Sequence, residues 1–177
     1  MEEQLINQVR DKIRAIKDFP KEGIIFRDIT TGIKDAQALK IMIDYLCEQF
    51  EGTKIDYIAG IESRGFIFGT AMAYKMNCGF IPIRKPNKLP AKTIKESYDL
   101  EYGSNSIEIH EDAFEKGANI LVVDDLLATG GTAKAACNLI KKVGGNLVGT
   151  AFLIELDGLG GREKLKDCGK LVSMLQY

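Results

Sequence analysis

Two adjacent carboxylates, Asp124 and Asp125, end an apolar run and precede the small, hydroxyl-bearing stretch ATGGT at 128–132. Glycines in this stretch let a ligand approach the backbone, and Thr129 and Thr132 add hydroxyl donors. A helix is predicted to begin at Thr132, and its N–H groups and dipole favour an anion. Carboxylates repel phosphate, but they accept hydrogen bonds from a diol and suit hydrated Mg2+. The pattern therefore predicts a ligand with a phosphate at one end and a sugar beside it.

A plainer interpretation of the same residues is a turn at the end of a strand with an acidic helix cap, because acidic residues favour helix starts. The stretch lacks the lysine of a G-x-x-x-x-G-K-[ST] loop and is not a G-x-G-x-x-G turn. If a phosphate binds here, a monophosphate is favoured over a nucleoside triphosphate.

The elements that must position these residues alternate between strands and helices. Short apolar runs predict strands at 57–61, 79–83, 119–125, 147–154 and 171–175, and helical spacing predicts helices over 3–17, 35–50, 66–76 and 132–143. Such alternation predicts an α/β fold, a mainly parallel central sheet flanked by helices on both faces. Ligands of these sheets bind at the carboxyl ends of the strands, where ATGGT lies.

The segment from Arg84 to Gly103 interrupts the alternation, with two prolines, several lysines and little periodicity. We predict a long loop there, and loops of this length in compact domains usually serve function.

Composition narrows the class of protein. The net charge of −1 over 177 residues argues against a nucleic-acid-binding face, and the length suits one domain. The N-terminal stretch lacks the apolar centre of a signal peptide, and no apolar run approaches the roughly 20 residues of a spanning helix. We expect a cytoplasmic protein that binds neither nucleic acid nor membrane.

Seven segments together resemble the type I phosphoribosyltransferases, and among them those that act on adenine. They are FPKEGIIFRDIT, DYIAGIESRGFIFG, IRKPNKLP, SYDLEYG, VVDDLLATGGT, GREKL and SMLQY. The resemblance implies one phosphoribosyltransferase domain over 1–177, with a hood from about 1–34 and a flexible loop at about 84–109. It also implies a homodimer.

The resemblance assigns the acidic pair to the ribose of phosphoribosyl pyrophosphate. Asp124 and Asp125 would hold the 2- and 3-hydroxyls, directly or through Mg2+, which the substrate mainly holds. The 5-phosphate would be bound by the turn that follows, consisting of Ala128, Thr129, Gly130, Gly131 and Thr132.

A second loop, GIESRGF, is assigned by the resemblance to pyrophosphate, through Glu62, Ser63 and Arg64. The resemblance also implies a cis peptide bond between Glu62 and Ser63, although many relatives have Asp where this chain has Glu62. Lys85 and Lys88 would neutralise the leaving group further. The alternatives are a solvated Arg64 in an ordinary turn and a solvated lysine face.

The remaining assignments concern the base. By resemblance, Glu101 is the general acid or base at the purine and Tyr102 belongs to the lid, while a hairpin strand with Glu101 in solvent is the structural alternative. Adenine would be read by backbone groups near Ile25 and Arg27 and stacked on Phe26. Leu156 would close the adenine pocket.

The resemblance implies Mg2+-dependent transfer of phosphoribose to N9 of adenine, giving AMP and pyrophosphate. Ala128 stands where enzymes for hypoxanthine and guanine usually carry an aspartate, which favours adenine. The alternatives are a transferase for another purine, such as xanthine, and a phosphoribosyl-pyrophosphate-sensing regulator. We assign no chemistry to His110, and we interpret the GLGG stretch at 158–161 as a turn.

Overall fold

The computed structural model describes residues 2–99 and 104–177, which fold into two compact units divided after Tyr45. In chain order the elements are α1 (Glu2–Arg10), β1 (Arg14–Lys17), β2 (Ile25–Asp28), α2 (Thr30–Ile33), α3 (Ala36–Glu48), β3 (Tyr57–Ile61), α4 (Gly65–Met76), β4 (Gly79–Ile83), β5 (Thr93–Asp99), β6 (Ser104–His110), β7 (Asn119–Leu127), α5 (Gly131–Val143), β8 (Asn146–Glu155), α6 (Gly161–Lys164) and β9 (Lys170–Gln176). None of the helices in the described part of the chain is both long and apolar enough to span a membrane.

The first unit contains a two-stranded antiparallel sheet, and the predicted helix over 3–17 is wrong in its second half. The helix ends at Arg10, and residues 14–17 form β1, in which Ile16 lies opposite Phe26 of β2. Val9 and Ile13 are buried, as helical spacing requires. Beyond Ile13 the hydrogen bonds between β1 and β2 determine the structure. The prediction failed there because local periodicity does not reveal pairing with another strand.

Asp28 fixes the end of β2. Its Oδ1 accepts hydrogen bonds from the backbone N–H of Thr30 at 2.9 Å and from the Thr30 hydroxyl at 2.7 Å, and its Oδ2 accepts one from Arg14 Nε at 3.1 Å. The Thr30 hydroxyl and then Arg14 lower the pKa of Asp28 to about 2. β2 is thereby tied to the turn that follows it.

The second unit is built on a parallel sheet, which confirms the predicted α/β class. Five described strands lie in the order β4, β3, β7, β8, β9, and every adjacent pair is parallel. Residues 120–123 of β7 and 151–154 of β8 have no exposed surface. Such continuous apolar runs are typical of strands covered by flanking helices on both faces.

The predicted loop from Arg84 to Gly103 is wrong for residues 93–99, which form β5 and pair antiparallel with β6. This hairpin packs on α5, where Glu96 accepts a hydrogen bond from Asn138 Nδ2 at 2.8 Å and forms an ion pair with Lys142. Both contacts join residues more than 40 positions apart. Periodicity within the segment therefore could not reveal them.

Candidate functional site

A cleft of about 460 Å3 lies at the carboxyl ends of β3 and β7. Its lining includes Glu62, Ser63, Arg64, Lys85, Asp124 and Asp125. Thr132, in the first turn of α5, also lines it. The volume lies within the roughly 300–1,000 Å3 typical of small-molecule sites. The tertiary structure thus gathers residues that are up to 70 positions apart in the chain.

The acidic pair is held by the backbone and by one cation. Asp124 Oδ1 accepts a hydrogen bond from the N–H of Asp125 at 2.8 Å, and Asp125 Oδ2 accepts one from Arg64 Nε. Burial, followed by the negative charge of Asp125, raises the pKa of Asp124 well above its usual range. A diol that donates hydrogen bonds, or a cation, would favour the ionised carboxylate.

Arg64 reaches the acidic pair because α4 begins very close to β7. A Cβ on Gly65 would lie 2.8 Å from the carbonyl oxygen of Val123 and 3.0 Å from Asp124 Oδ1, so only glycine fits without a shift. The Arg64 side chain is 51% exposed, whereas that of Asp125 is 7% exposed. The guanidinium of Arg64 therefore extends from the surface to a buried carboxylate.

The peptide bond between Glu62 and Ser63 is cis, as the resemblance implies. The Glu62 carboxylate faces the next strand, where Oε2 accepts hydrogen bonds from the Lys85 N–H at 2.9 Å and from Arg84 Nε at 3.2 Å. Burial opposes its ionisation, but these contacts outweigh burial and lower the pKa of Glu62. The side chain of Glu62 thus anchors the segment that carries Lys85.

The turn from Ala128 to Gly131 leads from β7 into α5, as its composition predicts. Gly130 has a φ of 77° and precedes the first helical residue, and it has no side chain with which to cap the helix. The first N–H groups of α5 are therefore available to an anion, beside the Thr132 hydroxyl. Gly144, at a φ of 103°, ends the helix at the predicted position.

The structure distinguishes the two lysines assigned to pyrophosphate. Lys85 lines the cleft and Lys88 does not, although the backbone oxygen of Lys88 accepts a hydrogen bond from Arg84 Nη1 at 3.3 Å. Lys85 is thus placed with Arg64 and the acidic pair.

Three polar residues of the cleft lining were not assigned to the site from the sequence, namely Tyr98, Asn105 and Ser106. They lie on the β5–β6 hairpin, where Tyr98 is paired with Asn105. Their only signal is that Tyr98 belongs to the segment SYDLEYG and that Asn105 and Ser106 closely follow it. Glu101 and Tyr102, which lie between them, fall outside the described residues.

The residues assigned to adenine are placed on separate elements. Ile25, Phe26 and Arg27 belong to β2 of the first unit, where the Phe26 ring meets Phe19 edge to face at 5.3 Å. Leu156 follows β8 in the second unit, and its N–H donates to the carbonyl oxygen of Leu127 at 2.9 Å. The adenine assignment stays a prediction.

Comparison with known proteins identifies the family. The model of the phosphoribosyl transferase domain matches residues 30–174. An adenine phosphoribosyltransferase from Acidobacterium capsulatum is 53% identical over 169 residues, which are 96% of this chain and 93% of that protein. Another, from Brachyspira hyodysenteriae, is 55% identical over 90% of this chain and 94% of its own length.

Solved structures agree with this result. The crystal structure of adenine phosphoribosyltransferase from Thermoanaerobacter pseudethanolicus has a TM-score of 0.93 at 47% identity, covering 97% of this chain and 99% of that one. The Saccharomyces cerevisiae enzyme, complexed with an imino-altritol bisphosphate and adenine, has a TM-score of 0.92 at 38% identity, covering 98% and 99%. The chain belongs to the adenine phosphoribosyltransferase family of enzymes.

Proposed function

We propose that this enzyme transfers phosphoribose from phosphoribosyl pyrophosphate to N9 of adenine, with inversion at the anomeric carbon, releasing pyrophosphate and AMP. The observation that carries the proposal is a single cleft that joins an acidic pair to Arg64, Lys85 and the start of α5. A ligand with a diol between two phosphorylated ends matches this order of charges. Family membership supports adenine as the base.

The ribose and its 5-phosphate occupy neighbouring parts of the cleft in this proposal. Asp124 uses Oδ1 for the N–H of Asp125, so its Oδ2 is the oxygen assigned to a ribose hydroxyl. Asp125 uses Oδ2 for Arg64, which assigns its Oδ1 to the second hydroxyl. The 5-phosphate lies on the Ala128–Gly131 turn and the Thr132 hydroxyl, away from both carboxylates.

The pyrophosphate lies between the loop at 62–64 and Lys85. Because Arg64 donates to Asp125 through Nε, we assign its Nη groups to the pyrophosphate oxygens. Ser63, Arg64 and Lys85 stabilise the charge that develops on the leaving group. We propose that Lys88 also stabilises the charge on the leaving pyrophosphate, from a greater distance.

Magnesium fits this site as an ion held mainly by substrate. Within residues 2–99 and 104–177 there is no group of three or more His, Cys, Asp or Glu that could hold a metal ion. Asp124 and Asp125 are two adjacent carboxylates, a donor set that Mg2+ accepts through water while substrate oxygens complete its shell. The ion would supply neutralisation of the pyrophosphate charge.

Proton transfer and base recognition complete the proposal. Glu101 is the general acid or base at the purine, and Tyr102 closes the lid over the reacting centre. Ile25, Phe26, Arg27 and Leu156 bind adenine, as the resemblance implies. Ala128 offers no carboxylate to the base, so proton transfer falls to Glu101.

We also propose a homodimer. On α4, Ile67 is 40% exposed and Tyr74 is 90% exposed, two turns apart on one face. Exposed apolar side chains on one helix face support association, because burying them removes apolar surface from water. A monomer by analytical ultracentrifugation at micromolar concentration would contradict the dimer while leaving the catalytic proposal intact.

The test of the catalytic proposal is a purine screen. Purified protein is incubated with phosphoribosyl pyrophosphate and Mg2+ plus adenine, hypoxanthine, guanine or xanthine, and nucleotides are separated by chromatography. We expect AMP and little of the other nucleotides. A preference for another purine would contradict the base assignment, and binding of the substrate without turnover of any purine would favour a regulator.

A further inference from the structure

The glycine-rich turn at 158–161 lies directly behind the turn assigned to the 5-phosphate. A Cβ on Gly161 would lie 2.3 Å from the carbonyl oxygen of Ala128 and 2.9 Å from Leu127 Cδ1. Both distances are too short without a shift of the neighbouring atoms, and the carbonyl oxygen of Ala128 belongs to the backbone, which cannot move as easily as a side chain. The absence of a side chain at Gly161 therefore allows the two turns to touch.

The contact is reciprocal. A Cβ on Gly130 would lie 3.0 Å from the carbonyl oxygen of Gly161 and 3.1 Å from its Cα. Gly130 also has a φ of 77°, a conformation that residues with side chains rarely adopt. Two bare backbones thus pack against each other, and a displacement of one displaces the other.

An ion pair between the half-exposed Arg162 and the buried Glu155 anchors the turn at 158–161. Arg162 Nε donates to Glu155 Oε1 at 2.8 Å, and its Nη2 donates to Oε2 of the same carboxylate. The Ser173 hydroxyl donates to Glu155 Oε2 at 2.6 Å. Glu155 is 5% exposed, and although burial opposes its ionisation, these partners lower its pKa. The residue after Gly161 is thereby tied to the ends of β8 and β9.

We infer that Gly161 is a positioning residue for the 5-phosphate, whose bare backbone supports the Ala128–Gly131 turn from behind. This inference deepens the proposed function and rests on it, since it concerns the support of the same phosphate site. Gly161 touches no substrate in this account. It sets where the N–H groups of the turn meet the phosphate, and the ion pair between Arg162 and Glu155 holds it there.

The experiment compares Gly161→Ala with Gly158→Ala in the full-length protein. Gly161 has no positive φ, so alanine there meets only the steric obstacle. Gly158 has a φ of 78° with nothing within 4 Å, so alanine there meets only conformational strain. Ribose 5-phosphate binding is measured by titration calorimetry, KM values are measured for both substrates, and folding is checked by circular dichroism.

We expect Gly161→Ala to weaken ribose 5-phosphate binding by about tenfold to a hundredfold, since a displacement near 1 Å at a binding group has effects of this size. The KM for phosphoribosyl pyrophosphate should rise with it, while the KM for adenine changes by less than about threefold. Gly158→Ala should leave all three values near those of the wild type. General damage to the fold would not separate the two substrates in this way.

Two results would overturn the inference alone. One is a folded Gly161→Ala that binds ribose 5-phosphate as the wild type does. If Gly161→Ala does not fold, Glu155→Gln replaces it, because this change weakens the ion pair with Arg162 without adding volume. We expect Glu155→Gln to lower the affinity for ribose 5-phosphate severalfold. An unchanged affinity in this variant would be the second result. A wild-type protein that does not bind ribose 5-phosphate would instead overturn the proposed function, and this inference with it.

Discussion

Replacing Asp124 and Asp125 together by asparagine should remove most of the affinity for phosphoribosyl pyrophosphate. One oxygen of each carboxylate accepts a hydrogen bond inside the protein, from the N–H of Asp125 or from Arg64, and we assign the other oxygen of each to the ribose. A hydrogen bond to a charged group contributes about 1.5–3 kcal/mol. Two such bonds amount to about 3–6 kcal/mol, or about a hundredfold to ten-thousandfold in Kd. Because asparagine still accepts hydrogen bonds, we expect a loss near the lower end.

The assay is titration calorimetry of phosphoribosyl pyrophosphate with Mg2+ in the absence of adenine. The matched control is Asp112→Asn, which removes a carboxylate from an exposed position outside the cleft lining. The melting temperature of the double variant should not fall, because the pKa of Asp124 shows that burial and Asp125 already disfavour its charge. A folded double variant with a Kd within about threefold of the wild type would refute the assignment of the acidic pair to the ribose hydroxyls.

Three further predictions concern the proposed reaction. The pKa of Asp124 is raised, and its ionised form is the one that accepts hydrogen bonds from the diol. The affinity for ribose 5-phosphate should therefore fall on acidification already at a pH above about 4, the ordinary pKa of a carboxyl group. Calorimetry should show a shallower pH profile for Asp124→Asn, and identical profiles would contradict this prediction. Lys85→Ala should raise the inhibition constant of pyrophosphate by about tenfold and Lys88→Ala by much less, as steady-state inhibition would show; equal effects would count against the cleft geometry. Glu101→Gln should lower kcat by about a hundredfold or more with little change in the KM for adenine, and an unchanged kcat would remove Glu101 from the chemistry.

Local signals in the chain were sufficient for the strands and turns that form the floor of the site. The apolar runs at β3, β7 and β8 are continuous because these strands are buried, and the glycines after β7 and after α5 mark a turn and a helix end. Burial and backbone conformation leave such direct traces in composition. The order and type of the central elements could therefore be predicted.

Contacts between distant segments could not be predicted in this way. β1 and β5 each form by pairing with another strand, and the period of their own residues indicated a helix and a loop. Tyr98, Asn105 and Ser106 enter the cleft only because the hairpin folds onto it. A strand pairing depends on its partner, so the information is not contained in either segment by itself.

By itself, the sequence determined the α/β class, through the alternation of its apolar segments, and the acidic pair with the turn that we assign to the phosphate, through residue type and spacing within one short segment. Only the tertiary structure decided that Arg64 pairs with Asp125, that Glu62 anchors the segment carrying Lys85, and that Gly161 packs against the Ala128–Gly131 turn. These are contacts of a few ångströms between residues that lie 23 to 61 positions apart in the chain. Their geometry arises from the packing of the sheet and its helices, which no single segment encodes.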